Sequence, residues 1–408
     1  MDKSTLKDGM LSAISEELDL WLDKEKVITD GYEYESEFMQ VSRNINRILL
    51  SKSLGDASGN RNKKKLHTCF GVLEVNKSHV LCHHTSKFGI SAKLQEIICL
   101  LAHDHVFEES ESLLHEFFGL DLSAKQIQRL SEHYGQELEE LECNYQEDES
   151  YEDLEQHAVP VVSHTSEEPV YVMIDGSMIF TREAKWKEMK VGRIYSEHSR
   201  VPVQENRTMI TDSLYVCTLG DHKAFFKKFD PYIEPYRQKV FISDGAKWIW
   251  NWVEDFYGDS IQILDFYHAA EKLATYATLA YKDAGERRQW LEEQKQRLKA
   301  DEVENVLKDL IETSENITDT TEAGKALNDA IRYYTNNRER MKYGSFIKKG
   351  YLIGSGAVEA AHRNVIQQRL KMSGQRWSMD GAQRIANIRA YRKSNRWYAL
   401  IEQIKKAA

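Results

Sequence analysis

Apolar residues recur every three or four positions at the start of the chain, where Leu6, Met10, Ile14, Leu18 and Trp21 make one stripe. Residues 1 to about 55 therefore read as helical. A basic loop follows at Arg61–Lys65. Val72, Leu73, Val75, Val80 and Leu81 around Asn76-Lys77 then suggest a hairpin over Cys69 to Leu81. Phe107 to Phe118 is amphipathic and stops at Gly119. Ser123 can cap a second helix, Ala124 to Tyr134, that ends at Gly135. Two helices of this length around a glycine fit a helix-turn-helix reading DNA through Lys125, Gln126 and Arg129. They fit plain packing as well.

Beyond residue 168 the period changes. Pro169 to Ile174 is a nearly continuous apolar run, the pattern of a buried central strand, and it ends in Asp175-Gly176. Met178–Phe180, Lys187–Tyr195 and Thr208–Leu219 supply more strand-like segments, and His222–Phe229 a short helix. Lys239–Ser243 is a second buried run ending in Asp244-Gly245, with a helix through Trp248, Ile249, Trp252 and Phe256 after it. Gln262–Leu264 leads into Asp265. Residues 266 to about 341 carry Glu, Lys, Gln and Ala without strand signal, so a helical insertion is expected there. Gly354-Ser-Gly356 then opens a helix from Ala357 to about Met372.

Of the 408 residues, 41% are hydrophobic and 29% charged, enough for two or three domains. No stretch reaches the roughly 18 apolar residues of a membrane span, and Met1 to Leu18 lacks an apolar signal core, so a cytoplasmic protein without a membrane partner is expected. Five scattered cysteines with no Cys-x-x-Cys pair fit a reducing compartment. Cys69, Cys82, His83 and His84 lie close enough in sequence to raise the question of zinc, although isolated Cys and His more often pack or face water. The net charge of −10 speaks against a nucleic-acid partner only if it is spread evenly. It is not. Gln136 to Val170 holds twelve acids and no Lys or Arg, the composition of a linker, whereas Ala361 to Ala408 holds eleven Lys and Arg against Asp380 and Glu402.

Asp175 and Asp244 each follow an apolar strand and precede glycine. Either alone is an ordinary turn pair. Together they place carboxylates on strand ends that can approach closely, which is costly unless cations sit between them, and hard cations such as Mg²⁺ prefer oxygen ligands. Glu359 stands on the first turn of the helix after Gly354-Ser-Gly356. A capping box explains it poorly, because Gly356 occupies the position where Ser or Thr is needed. A phosphate-binding glycine loop is also disfavoured, since no Gly-Lys-Ser/Thr follows.

Asp175-Gly176, Ser243-Asp-Gly-Ala246, Asp265-Phe-Tyr-His268 and Gly354-Ser-Gly-Ala-Val-Glu-Ala-Ala-His-Arg363 resemble the bacterial ISKra group of insertion-sequence transposases, in the mutator-like DDE superfamily. The similarity runs on through Arg369-Leu-Lys371, Ser373-Gly374 and Arg376-Trp-Ser378, covering about residues 170 to 395. It implies an α/β, RNase H-like mixed sheet flanked by helices, with an all-helical insertion before the last catalytic helix and a mainly helical N-terminal DNA-binding region. The expected divisions are 1–60, 61–135 with the helix-turn-helix, an acidic linker 136–168, the core at 169–265, the insertion at 266–345, and the end of the core with its basic tail at 346–408.

The resemblance further implies that Asp175, Asp244 and Glu359 form the acidic triad holding two Mg²⁺ ions, with Mn²⁺ as a substitute. It puts His268 beside the metal site or the scissile phosphate, and Asp265 behind it. Arg363, Arg369, Lys371 and Arg376 are expected at backbone phosphates, with Trp377 stacking on an unpaired base; for each, a solvated helix face is the plainer reading. The implied partners are the double-stranded terminal inverted repeats of a transposon, target DNA, and a second or further copy of the chain, in the bacterial nucleoid. A structure-selective nuclease on the same fold and an inert, domesticated DNA-binding protein stay open as alternatives.

Overall fold

The computed structural model describes residues 3–54, 63–144, 162, 168–204, 207–315, 317–318 and 320–406. Most of the expected acidic linker lies outside them. The chain divides into two compact units, Met1–Leu141 with Arg384–Arg392 and Arg396–Ala408, and Glu142–Gln383 with Lys393–Asn395.

In the first unit α1 (Lys3–Glu25) and α2 (Gly31–Ser53) pair as a hairpin, α2 being capped by Asp30, whose carboxylate accepts from the Glu33 amide. Strands β1 (Lys63–Thr68) and β2 (Gly71–Asn76) follow, antiparallel, with Leu66, Leu73 and Val75 buried between them and the helices. The hairpin therefore turns at Cys69-Phe70, not at Asn76-Lys77, and Lys63–Lys65 are strand rather than loop. Alternation explains the shift, since Leu66 and Thr68 continue inward the pattern of Leu73 and Val75.

Next come α3 (Ala92–Ala102), α4 (Phe107–Phe118) and α5 (Ala124–Asn144), with Gly119 in the left-handed conformation closing α4. Ser123 and Gln126 bond reciprocally at the start of α5, Ser123 N to Gln126 Oε1 at 3.0 Å and Gln126 N to Ser123 Oγ at 3.4 Å. The helix does not stop at Gly135. It runs nine residues further, because that glycine serves a close contact: a Cβ there would lie 2.3 Å from the Arg384 carbonyl oxygen.

The second unit is built on a five-stranded mixed sheet. β3 (Val170–Thr181) and β4 (Lys185–Ser196) form its long central hairpin; the short pair β5 (Arg200–Gln204) and β6 (Arg207–Ile210) stands apart, and β7 (Leu214–Leu219) returns to the sheet. Thr208–Leu219 is thus two strands, not one. Helix α6 (His222–Ile233) leads to β8 (Lys239–Ser243), α7 (Lys247–Tyr257) and β9 (Ile261–Leu264). The sheet order is β7-β4-β3-β8-β9, with β7, β4 and β3 antiparallel and β3, β8 and β9 parallel. Its central strands are buried at Val170–Ile174 and Val240–Ser243, as the continuous apolar runs require.

The insertion is helical as expected: α8 (Phe266–Ala280), α9 (Ala284–Lys299), α10 (Val303–Ser314) and α11 (Glu322–Asn337), followed by α12 (Tyr343–Lys348). The closing segment is α13 (Gly356–Ala361), a π-helical turn at His362–Gln367, and α14 (Gln368–Leu370). Last are α15 (Met379–Lys393) and α16 (Trp397–Lys406). Among the described residues no helix is long and apolar enough to cross a membrane.

Candidate active site

Asp175 does not end its strand. β3 passes straight through Asp175-Gly176, which pair with Val191 and Lys190 of β4. A Cβ at 176 would meet the Glu188 carboxylate at 2.2 Å, the end of a flexible side chain that can turn aside. On the other side β8 runs parallel to β3 with Ile174 opposite Ser243, so Asp175 follows on β3 and Asp244 follows just past the end of β8. The Ser243 hydroxyl donates to the Ile174 carbonyl and fixes this register. Asp244 turns the chain into α7: its Oδ1 accepts from the Ala246 amide at 3.0 Å, and its carbonyl accepts from the Trp250 indole at 2.6 Å. Burial raises the Asp244 carboxyl above the ordinary range, and the negative charge of Asp175 raises it further.

Glu359 reaches the same region from α13. With Asp175, His362, Arg363 and Lys371 it lines an open cavity of about 440 Å³. Ser355 precedes α13 without a side-chain cap bond, so Glu359 is no part of a capping box. The π-helical turn begins at His362, three residues on, a local widening that often marks functional segments. His362 is 2% exposed, and its Nε2 lies 3.6 Å from Asp175 Oδ2. Burial lowers its pKa, keeping the ring neutral. The sequence reading gave His362 no role, although its spacing from Glu359 puts both on one helical face. Glu188 went unnoticed too; it faces Gly176, is held by Lys190 Nζ at 2.7 Å, and adds negative charge near Asp244 and His362.

Asp265 and His268 form the support of this end of the sheet. Asp265 is fully buried, accepts from the His268 amide at 2.8 Å as the cap of α8, and accepts from the Ser355 amide at the start of α13. Burial alone would raise its carboxyl, but the bonds from His268 and Ser355 outweigh it and the net shift is downward. The His268 ring lies 3.4 Å from Asp265, and that contact pushes its pKa up to about 9 against the opposing effect of burial. His268 is therefore a cation at neutral pH, within the field of Asp244.

The remaining expected residues divide. Arg363 and Lys371 line the carboxylate cavity, with Lys371 Nζ 3.2 Å from Ser177 Oγ, and Arg376 is exposed nearby in the chain. Arg369 and Trp377 are buried at 1% and 7% exposure, the guanidinium 4.9 Å above the indole ring and the indole N–H donating to the Leu370 carbonyl. They pack on each other, which corrects the expectation that one binds a phosphate and the other a base. Lys125, Gln126 and Arg129 are exposed on α5 in the other unit; the Gln126 amide oxygen is engaged at the cap. In that unit the Cys82 thiol donates to the Asn76 carbonyl at 3.3 Å, and burial raises both Cys69 and Cys82 thiols. Among the described residues no three His, Cys, Asp or Glu side chains close on one point tightly enough to hold a metal ion.

A mixed α/β unit with one carboxylate on a central strand, one at the end of its parallel neighbour and one on a helix is the class of protein these observations define. Residues 156–406 match UPF0236, an uncharacterised protein family, and the chain belongs to it. No curated protein matches its sequence.

Proposed function

We propose that this chain is an RNase H-like DNA transposase whose acidic triad is Asp175, Asp244 and Glu359. The observation that carries the reading is the register that sets Asp175 on β3 beside Asp244 at the end of β8, where burial and then the charge of Asp175 push the Asp244 carboxyl up, while Glu359 lines a cavity with Asp175. Such a pair repels itself until a cation intervenes. The RNase H-like part rests on strand order: counting only the sheet's own strands, it runs 3-2-1-4-5, antiparallel and then parallel. The helices between β9 and α13 account for the long gap before Glu359.

The donor set suits Mg²⁺ or Mn²⁺, because all three side chains offer hard carboxylate oxygens. Asp175, Asp244 and Glu359 do not converge on one point as they stand and would have to draw together to hold two ions, which when bound would polarise the phosphate and activate the attacking oxygen. Arg363 and Lys371, on the cavity wall, neutralise the phosphate backbone. The His268 cation, fixed by Asp265, offsets negative charge around Asp244. In the first reaction water breaks a phosphodiester and leaves a 3′-hydroxyl; in the second that hydroxyl attacks target DNA, displacing another 3′-oxygen, so no covalent protein intermediate arises. Double-stranded transposon ends and target DNA are the substrates, held by at least two copies of the chain.

The test is strand cleavage and strand transfer of labelled duplex carrying the flanking element's terminal repeats, with Mg²⁺ or Mn²⁺, for wild type and Asp244→Asn. Joined products that vanish in the variant support the transposase. Cleavage without joining identifies a nuclease, and specific binding without cleavage an inert DNA-binding protein.

A further inference from the structure

Among the described residues, half of the β3–β4 hairpin has no other strand of the sheet beside it. β3 pairs with β8 only over Val170–Ile174, and β4 with β7 only over Met189–Ile194, so Gly176–Thr181 and Lys185–Glu188 extend past the sheet as a two-stranded arm. The arm's end is tied down: the Arg182 amide donates to the Trp377 carbonyl at 2.8 Å, and the Met379 amide to Glu183 at 3.1 Å. Between the arm and the segment after α14 lies a groove of about 340 Å³, lined by Phe180, Trp186, Lys371, Met372 and Arg376 among others. Trp186 is 60% exposed, yet its ring is braced edge-on by Phe180 at 5.5 Å. Lys185 and Lys187 flank it in sequence, and the nearby acids are engaged, Glu183 with the Met379 amide and Glu188 with Lys190.

We propose that this groove receives the base of an unpaired nucleotide next to the reacting phosphate, stacked on Trp186. The inference rests on the DNA-processing reading above and names the part of the substrate that lies beside the acids. Three observations point to a nucleotide. An exposed indole braced in one orientation offers a flat face to a ring, which any base can cover. Lys371 and Arg376 on the same wall supply positive charge for its phosphate. Lys371 also lines the carboxylate cavity, so the two sites share a wall and one strand can occupy both. The base has to be unpaired, because a base within a duplex already has its faces covered by neighbours. The buried Trp377 cannot do this; the arm brings a different tryptophan to the task.

The experiment uses the full-length chain without divalent metal, so that binding is read apart from cleavage. Affinity is measured for a blunt duplex and for the same duplex with a five-nucleotide 3′ overhang carrying 2-aminopurine, with wild type, Trp186→Phe and Trp186→Ala. Wild type should prefer the overhang and quench the 2-aminopurine. Trp186→Ala should lose roughly tenfold in overhang affinity, and the quenching, with blunt-duplex affinity unchanged; Trp186→Phe should keep most of both. A Trp186→Ala protein that retains preference and quenching overturns the proposal while the DNA-processing reading stands, as does a wild type indifferent to the overhang. A loss of self-association in Trp186→Ala, read by sedimentation, together with unchanged DNA binding would show a second copy in the groove and overturn it as well. Failure of wild type to bind either duplex refutes the DNA reading itself.

Discussion

His268 stands on the first turn of α8 with its ring against a buried carboxylate, and this contact makes the stability of the site depend on pH. Its folded pKa of about 9 is above the unfolded value of about 6.5, so the contribution is fully present below pH 6.5 and is lost as pH rises through 9. The ring is partly solvated, which screens the effect. Melting temperatures of wild type and His268→Gln should differ most below pH 6.5 and converge above pH 9; a gap that widens with pH would refute this account of the pair. The Asp244 carboxyl is also raised, here because burial and Asp175 disfavour its charge, so its ionisation destabilises the metal-free fold as pH rises. Asp244→Asn should therefore melt higher than wild type in metal-free buffer at pH 7. Mg²⁺ should raise the wild-type melting point, by about 2.7 kcal/mol of stability at a hundredfold excess over Kd, and leave Asp244→Asn unmoved. Calorimetry with and without Mg²⁺ decides both. At this scale the sequence made Asp175, Asp244 and Glu359 visible because acids beside apolar runs and glycines are conspicuous. His362 and Glu188 were not, because an isolated histidine or a strand glutamate looks the same whether it faces water or a carboxylate.

Helix and strand identities are largely readable from periodicity, and boundaries are less so, in part because a glycine that reads as punctuation can lie inside an element. Gly135 lies inside α5, and Gly176 inside β3. The role of Gly135 is not visible without its partner, the Arg384 carbonyl. Gly135→Ala makes the difference measurable. Replacing a glycine inside a helix with alanine ordinarily stabilises by about 1 kcal/mol. Here the new methyl would sit 2.3 Å from backbone oxygen, too close for a rotamer change to relieve. The variant should instead lose about 1 to 3 kcal/mol in denaturant unfolding, and a gain would mean that the segments separate at little cost. The π-helical turn at His362–Gln367 was hidden for a related reason, since its residues carry the same apolar spacing as an α-helix.

Over the whole molecule, charge is a matter of where the cations end up. The basic tail counted from Ala361 includes Arg369, Arg389 and Arg396, all at most 3% exposed. Arg389 is bonded to the His103 carbonyl and, at 2.6 Å, to Asp104, so it holds the first unit together and cannot meet a phosphate. The net charge of a segment thus overstates how many of its cations a ligand could meet, and of those counted here Arg363 and Lys371 line the cavity with Asp175 and Glu359. This separates two classes of variant that sequence alone treats alike. If DNA lies along the carboxylate cavity, Lys371→Met should weaken binding and lower the slope of log K against log salt by about 0.9, one phosphate's share of released counterions, and Arg363→Ala should do the same. Arg389→Met should leave that slope unchanged while lowering stability by about 1 to 3 kcal/mol, because it leaves the His103 carbonyl without its donor while the partly exposed Asp104 turns to water. Binding titrations at several salt concentrations, paired with denaturant unfolding of each variant, give both readings. An unchanged slope for Lys371→Met and Arg363→Ala would move the DNA path away from the cavity, and with it the catalytic meaning of the three carboxylates.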